Sequence, residues 1–356
     1  MNLLPALLLL VPAPELQAQD SSNAVPAELG KVQWQRDLEK SLAKAKAKQK
    51  PLFLLFQEVP GCQTCVDFGQ GPLSQPLLVE AIENEFIPVL VFNNREGQDA
   101  IWLKHFQEPS WNNPVVRFLD SSGKDLLPRK DRVWSLPALV HRTVAALQKA
   151  GRTVPTYLQN FAKELEPEGW DQAILSMHCY WEGEVVLGAL QGVYATTPGW
   201  MGKREVVRVR YRPDQIDFPT LVQEAQKLKC AQQVIATNQT QFVQAKQLVG
   251  ERALREGPPW RPVEFGERKY HLKQSVLQYL PLTPMQAVKV NVALGRRQDP
   301  SPWLSPGQVR LAHRLRSLEE SALKALKTWQ APEVLAELPA YSARLEAFLS
   351  SVEVEK

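Results

Sequence analysis

The run Pro51-Leu-Phe-Leu-Leu-Phe-Gln-Glu-Val-Pro-Gly-Cys-Gln-Thr-Cys65 decides how the first half of this chain is read. Leu52 to Phe56 is unbroken apolar sequence between Pro51 and the Pro60-Gly61 turn signal, the pattern of a buried strand. Two cysteines follow at once, where a helix is expected to begin. A thiol at a helix start meets free backbone N–H groups and the positive end of the helix dipole, and both favour the thiolate. A second cysteine one turn on can attack the mixed disulfide formed by the first. Cys62 is therefore the predicted nucleophile and Cys65 the resolving thiol. A static disulfide or a metal clip is the alternative.

Working outward, Gln33 to Lys50 reads as a helix, with Leu38, Leu42 and Ala45 at helical spacing and lysines opposite. Leu78 to Phe86 is a second helix and Pro88 to Phe92 a second buried strand. Pro114 to Leu119 is a third strand, turned by Asp120-Ser-Ser-Gly123, and Leu136 to Ala150 a closing helix. Alternating strands and helices predict an α/β domain with helices on both sheet faces.

On these residues, 31–150 resembles the thioredoxin-like superfamily, including the lead-in Trp34…Leu38-Glu-Lys-Ser-Leu42…Lys50-Pro51. Asn113-Pro114-Val115 falls where that family carries its cis-proline. The resemblance implies that Pro114 shapes the groove receiving the substrate thiol. Val59-Pro60-Gly61-Cys62-Gln63-Thr64-Cys65 stands in place of the family's usual Trp-Cys-Gly-Pro-Cys.

The second half has its own pattern. Ala173 to Met177, Gly192 to Thr197, the strictly alternating Glu205 to Tyr211, and Gln233 to Ala236 read as strands, with helices at Cys179 to Leu190 and Phe218 to Lys229. The order is βαββαβ, the ferredoxin-like unit. In His178-Cys179-Tyr180-Trp181-Glu182-Gly183-Glu184 a cysteine again lies between a strand and a helix start, with two aromatics able to wall a pocket. His178 is expected to pack on the opposite face. Residues 250–305 read as mostly irregular, Leu311 to Trp329 and Val334 to Leu349 as two amphipathic helices.

The second half resembles methionine sulfoxide reductase A, whose mark is Gly-Cys-Phe-Trp with a Glu three residues later. Cys179, Trp181 and Glu184 match it, and Tyr180 stands for the Phe. The likeness continues through Leu190-Gln-Gly-Val193, Gly199-Trp200-Met201-Gly202, Glu205-Val-Val-Arg-Val-Arg-Tyr-Arg-Pro213 and Leu280-Pro-Leu-Thr-Pro284 with Gln286. The resemblance implies that Cys179 attacks a sulfoxide sulfur, that Glu205 protonates its oxygen, and that Tyr180, Trp181 and Glu184 help hold the substrate. A carboxylic acid beside aromatics suits that task if its pKa is raised. Only Lys203 and Arg204 separate Gly202 from Glu205, where the family has a longer insert bearing a Tyr and a Gly-His-Ala-Glu. Tyr270 and Tyr279 are the nearest candidates for its later Tyr. The alternative for Cys179 is a small buried apolar residue. Cys230, closing the second helix, is expected at the sheet edge far from Cys179 and is read as structural. Cys179 then needs another reductant, and a tethered Cys62–Cys65 dithiol supplies one at high effective concentration.

Composition bounds the rest. The chain has 356 residues, 44% apolar and 22% charged, enough for two domains and a tail. A net charge of +4, with no basic block among aromatics, argues against nucleic acid. Residues 1–19, with an apolar Leu3 to Val11, read as a signal peptide and residues 20–30 as a linker, predicting an exported, periplasmic or secreted protein. That run is too short to span a membrane, and no other segment qualifies. Four cysteines make no disulfide framework, and five scattered histidines give little for zinc. The expected organisation is thus 31–150 thioredoxin-like, 168–290 methionine sulfoxide reductase A-like and 306–356 helical. No cofactor is called for. The expected partners are oxidised methionine in peptides or proteins, or a disulfide substrate, and an external thiol/disulfide electron donor. Two rival classes remain: a thiol–disulfide exchange protein whose second domain only binds, and a metal-binding module.

Overall fold

The computed structural model describes residues 25–255 and 257–354. The predicted signal peptide lies outside the described residues. Along the first part run α1 (Leu38–Lys48), β1 (Leu52–Gln57), α2 (Gln63–Gln70), α3 (Pro76–Glu85), β2 (Ile87–Phe92), α4 (Gln98–Phe106), β3 (Val115–Leu119), α5 (Leu136–Lys149) and α6 (Thr156–Glu164). β1 lies central in a three-stranded sheet, parallel to β2 and antiparallel to β3. All six of its residues are buried because both faces are covered. Phe53 and Leu55 point into one core with Phe68, Leu78 and Leu139. Leu52, Leu54 and Phe56 point into the other with Leu38, Ala45 and Leu103. This is the period-two geometry of a strand, carrying apolar residues on both sides.

The first helix is shorter than its periodicity predicts. Asp37 caps it by accepting from the Lys40 N–H, and Gln35 is instead bridged to Val89. Residues 98–106 and 156–164 are further helices, beyond those expected from periodicity. Within the expected linker, Ala27–Leu29 forms a 3-10 turn seated on α2. It sits so closely that a Cβ on Gly69 would lie 2.0 Å from the Ala27 carbonyl oxygen.

The second part runs β4 (Asp171–Met177), α7 (Tyr180–Gly188), β5 (Val193–Met201), β6 (Arg204–Tyr211), α8 (Phe218–Lys227) and β7 (Gln233–Ile235), which is the βαββαβ order. It continues with α9 (Gln239–Val249), β8 (Ala253–Leu254), β9 (Trp260–Pro262), α10 (Tyr270–Lys273) and α11 (Pro284–Gly295). The sheet order is β8-β7-β4-β6-β5-β9, antiparallel from β7 through to β9, with β8 parallel to β7. Residues 250–305, expected to be mostly irregular, contain α11. Thr283 and Gln286 cap it reciprocally and Pro284 takes its first position.

The tail is α12 (Pro306–Arg316), α13 (Glu320–Leu326) and α14 (Leu338–Val354). The predicted helix from Leu311 to Trp329 is therefore two. The tail shares a core with the end of the second part, where Leu315, Leu326 and Leu345 meet Leu272, Leu277 and Leu280. It also grips the first part. Glu80 of α3 accepts from the Gly307 N–H at 2.6 Å and from the Ser305 hydroxyl, so its carboxylate lies at the N-terminus of α12. Glu164 of α6 likewise accepts from the Met285 N–H at the start of α11. No described helix is long and apolar enough to cross a membrane.

Candidate active site

Two thiol sites are built by the same local device, a cysteine closing a strand-to-helix turn. In the first, Cys62 is the N-cap of α2, and its carbonyl already accepts from the Cys65 and Val66 N–H groups. Gly61 before it has no room for a side chain: a Cβ would lie 2.5 Å from the Glu58 carbonyl oxygen. Cys62 is exposed and Cys65 buried, with the sulfurs 3.6 Å apart and not bonded. The backbone N–H of Cys65, then the Cys65 thiol and Thr64, hold the Cys62 thiol below its usual pKa against the opposing effect of burial. Burial, and then the hydrogen bond with Cys62, push the Cys65 thiol up to about 12. The pair is thus asymmetric: one accessible sulfur biased to thiolate, one sheltered sulfur biased to thiol.

Two partners of this pair were not evident in the sequence. The Cys65 thiol donates to Asn113 Oδ1 at 2.8 Å. The Asn113-Pro114 peptide is cis, and Pro114 itself is buried, its carbonyl accepting from Trp134 Nε1. The cis bond falls at the predicted Pro114, and the preceding Asn113 is the residue whose side chain meets the Cys65 thiol. Glu28, in the turn seated on α2, accepts from the Gly61 N–H at 2.8 Å, and Gln57 Nε2 ties the Glu28 carbonyl to the end of β1. Only a polar residue before a proline, for Asn113, marked either position in the sequence.

In the second site Cys179 caps α7 and is half-buried. Glu205 starts the β6 ladder opposite Met177, and its Oε2 accepts from the Tyr180 N–H at 2.7 Å. The predicted acid therefore sits at the helix start one residue from Cys179. Burial, then the charges of Glu267 and Glu205, raise the Tyr180 phenol above its usual pKa, and Cys179 adds to this. A groove beside Cys179 is lined by Trp181, Glu182, Val185, Val186, Tyr270, His271, Gly295 and Arg296. Tyr270 stacks on Trp181 with centroids 4.2 Å apart. Of the two tyrosines considered for the family's later Tyr, Tyr270 is in the groove. Tyr279 is buried in the third core instead. His178, expected to pack, is exposed.

Glu184 is not in the groove. Residues 181, 182, 185 and 186 line the groove, so the 100° step of a helix turns 184 away from it. It is fully buried and accepts from Lys269 Nζ at 2.6 Å, the Lys269 N–H at 2.7 Å and Thr196 Oγ1 at 3.0 Å. The expectation that it holds substrate is corrected: Glu184 anchors Lys269, whose next residue is Tyr270, and so acts on the groove through the Trp181–Tyr270 stack.

Cys230 also departs from expectation. The expected position is the sheet edge far from Cys179. Because β6 runs antiparallel to β4, α8 starts at the opposite edge from α7 and ends at the Cys179 edge. Burial first, then the charges of Glu182 and Cys179, raise the Cys230 thiol to about 11. The structure thus gathers Cys62, Cys65 and Asn113 in one place, and Cys179, Tyr180, Trp181, Glu205 and Cys230 in another. The two gatherings share no residue. Among the described residues no group of three or more His, Cys, Asp or Glu side chains could hold a metal ion.

Residues 33–121 match the thioredoxin-like family model. The chain is 31% identical over 132 residues to the mitochondrial peptide methionine sulfoxide reductase of Mus musculus, covering 31% of this chain and 50% of that protein. It is 34% identical over 131 residues to the Rattus norvegicus protein, with the same coverage, and 28% over 129 residues to that of Homo sapiens, covering 31% and 49%. The chain thus spans about half the length of the curated relatives it matches. A solved DsbH oxidoreductase covers 37% of this chain and 95% of its own, at 19% identity and a TM-score of 0.29, too low to support an inference. The chain thus carries a thioredoxin-like segment over residues 33–121 and is similar, over about 130 residues, to peptide methionine sulfoxide reductases.

Proposed function

We propose that this chain is an exported peptide-methionine sulfoxide reductase in which Cys179 reduces the sulfoxide and the Cys62–Cys65 dithiol restores it. The observation that carries the reading is the Glu205 carboxyl group bonded to the first N–H of α7, the helix whose cap, Cys179, lines the groove walled by Trp181 and Tyr270. The Cys179 sulfur attacks the sulfoxide sulfur, and the oxygen leaves the substrate as the hydroxyl of a cysteine sulfenic acid. The thioether departs, and Glu205 is the group next to the helix start that can deliver a proton to that oxygen. The methyl thioether packs on Trp181 and Tyr270, since sulfur–aromatic contact favours it. Two thiols then return the sulfenic acid to thiol with loss of water, and Cys62, accessible and biased to thiolate, starts that exchange.

The expected result is turnover of N-acetylmethionine sulfoxide with dithiothreitol by the full chain and its loss in Cys179→Ser. An inactive wild-type chain refutes the reading. A second reading, disulfide exchange with a binding-only second domain, is favoured by the completeness of the Cys62–Cys65–Asn113 site without Cys179. It predicts that Cys62→Ser abolishes reduction of a disulfide substrate while Cys179→Ser leaves it intact. Residues 1–19 are proposed as the signal peptide and 31–150, 168–290 and 306–356 as the organisation of the chain. A mature protein starting near residue 19 in an exported fraction is the expected outcome.

A further inference from the structure

We propose that a cavity behind α10 binds a small carboxylate with an apolar body, the carboxylate on the Lys273 ammonium and the body among Leu272, Leu280 and Val288. The cavity measures about 210 Å³ and lies between β5, α10, the start of α11 and residues 331–333 of the tail. A void of roughly 150 Å³ holds one benzene ring, so this one has room for a ring and a carboxylate. Its wall is apolar with a few charged groups, the make-up of a small-molecule site. It is separate from the groove beside Cys179, although one helix turn serves both. Lys269, Leu272 and Lys273 line the cavity, whereas Tyr270 and His271 line the groove. At 100° per residue the two sets face opposite ways around α10.

Charge fixes the class of ligand. The charged side chains lining the cavity are Arg268, Lys269, Lys273 and Glu333. Arg268 is paired with Glu333 at 2.6 Å, and Lys269 with Glu184 at 2.6 Å. Lys273 is the surplus cation. Among the described residues it has no ion pair, and its ammonium stands 3.6 Å from the centre of the Phe265 ring, another residue of the cavity wall. A lysine at the end of a short helix ordinarily carries its ammonium out to water. Here the side chain is half-buried, and burial pulls its pKa down to about 8 against the attraction of Glu333. An ammonium resting on an aromatic face beside an apolar void is poorly solvated, and a carboxylate supplies the charge-assisted hydrogen bond that it lacks. An inorganic anion such as phosphate would lose its hydration and gain nothing from the apolar wall. The turn that presents Lys273 is fixed beforehand: its N–H bonds to the Lys269 carbonyl at 3.0 Å, and its carbonyl accepts from Gln278 Nε2 at 2.8 Å.

The test is calorimetric titration of the full chain with phenylacetate and with phenylacetamide, its neutral counterpart. One phenylacetate per chain is expected, bound at least about tenfold more tightly than the amide. Lys273→Met keeps the stem and removes the charge, so it should erase that preference and leave the affinity for the amide as it was. A second measurement needs no substitution. With phenylacetate at about ten times its Kd, trace acetylation of Lys273 by acetic anhydride, read by peptide mass spectrometry, should slow about tenfold. Neither measurement involves Cys179, so both report on the cavity whether or not the chain reduces sulfoxides. Equal affinity for the two compounds, or a preference that survives Lys273→Met, overturns the proposal. So does the absence of phenylacetate binding up to about 10 mM, or an unchanged rate of Lys273 acetylation.

Discussion

Replacing Glu184 by Gln tests the view that this residue holds the groove from behind rather than touching substrate. Its side chain has no solvent exposure, and that of Lys269 keeps 14%. The substitution preserves shape but only one acceptor: an amide oxygen at the Oε2 position still accepts from the Lys269 N–H, while the NH2 replaces the oxygen that took Lys269 Nζ and Thr196 Oγ1 and leaves the ammonium with the Thr196 carbonyl. Breaking one side of a buried ion pair costs about 3–5 kcal/mol, and the retained hydrogen bonds place this case near ~3 kcal/mol. With a urea dependence of about 2 kcal/mol per molar, the unfolding midpoint falls by about 1.5 M. The assay is urea unfolding followed by tryptophan fluorescence, with near-ultraviolet circular dichroism reporting the Trp181–Tyr270 stack in the folded baseline. Both should change, because Lys269 sits in a left-handed conformation, φ 54°, directly before Tyr270. Adding Lys269→Met should recover part of the loss, since removing both charges leaves none stranded. A midpoint within about 0.3 M of wild type, or strict additivity of the two substitutions, would refute the reasoning.

Two further outcomes follow from the first site. Iodoacetamide labelling should rise with pH through a midpoint below the ordinary thiol value of about 8.5 at Cys62, because the thiolate reacts and its pKa is lowered, while Cys65 stays unlabelled until pH nears 12; equal labelling rates near neutral pH would contradict the asymmetry. Gly69→Ala forces a Cβ to within 2.0 Å of the Ala27 carbonyl and should cost about 1–3 kcal/mol by lifting the turn that carries Glu28. Hydrogen exchange at the Gly61 amide, bonded to Glu28, should then quicken, and unchanged protection would argue against the clamp.

By itself the sequence determined the local devices. The apolar run of β1 can only be a strand covered on both faces, and the alternation from Glu205 to Tyr211 fixes which residues of β6 are buried. A cysteine between a strand and a helix start is legible at positions 62 and 179 because capping depends on adjacent residues. The shorter helices, α11 above all, were hidden by flanking Pro, Arg and Trp that mimic a loop. Tertiary structure decided what depends on direction and on distant partners. Whether Cys230 ends beside Cys179 turns on β6 running antiparallel to β4, a property of pairing between segments. The roles of Glu184, Asn113 and Glu28 come from Lys269, Cys65 and Gly61, which lie 85, 48 and 33 residues away. Sequence spacing carries no record of such contacts, because the chain between them is folded into other elements before the partners meet.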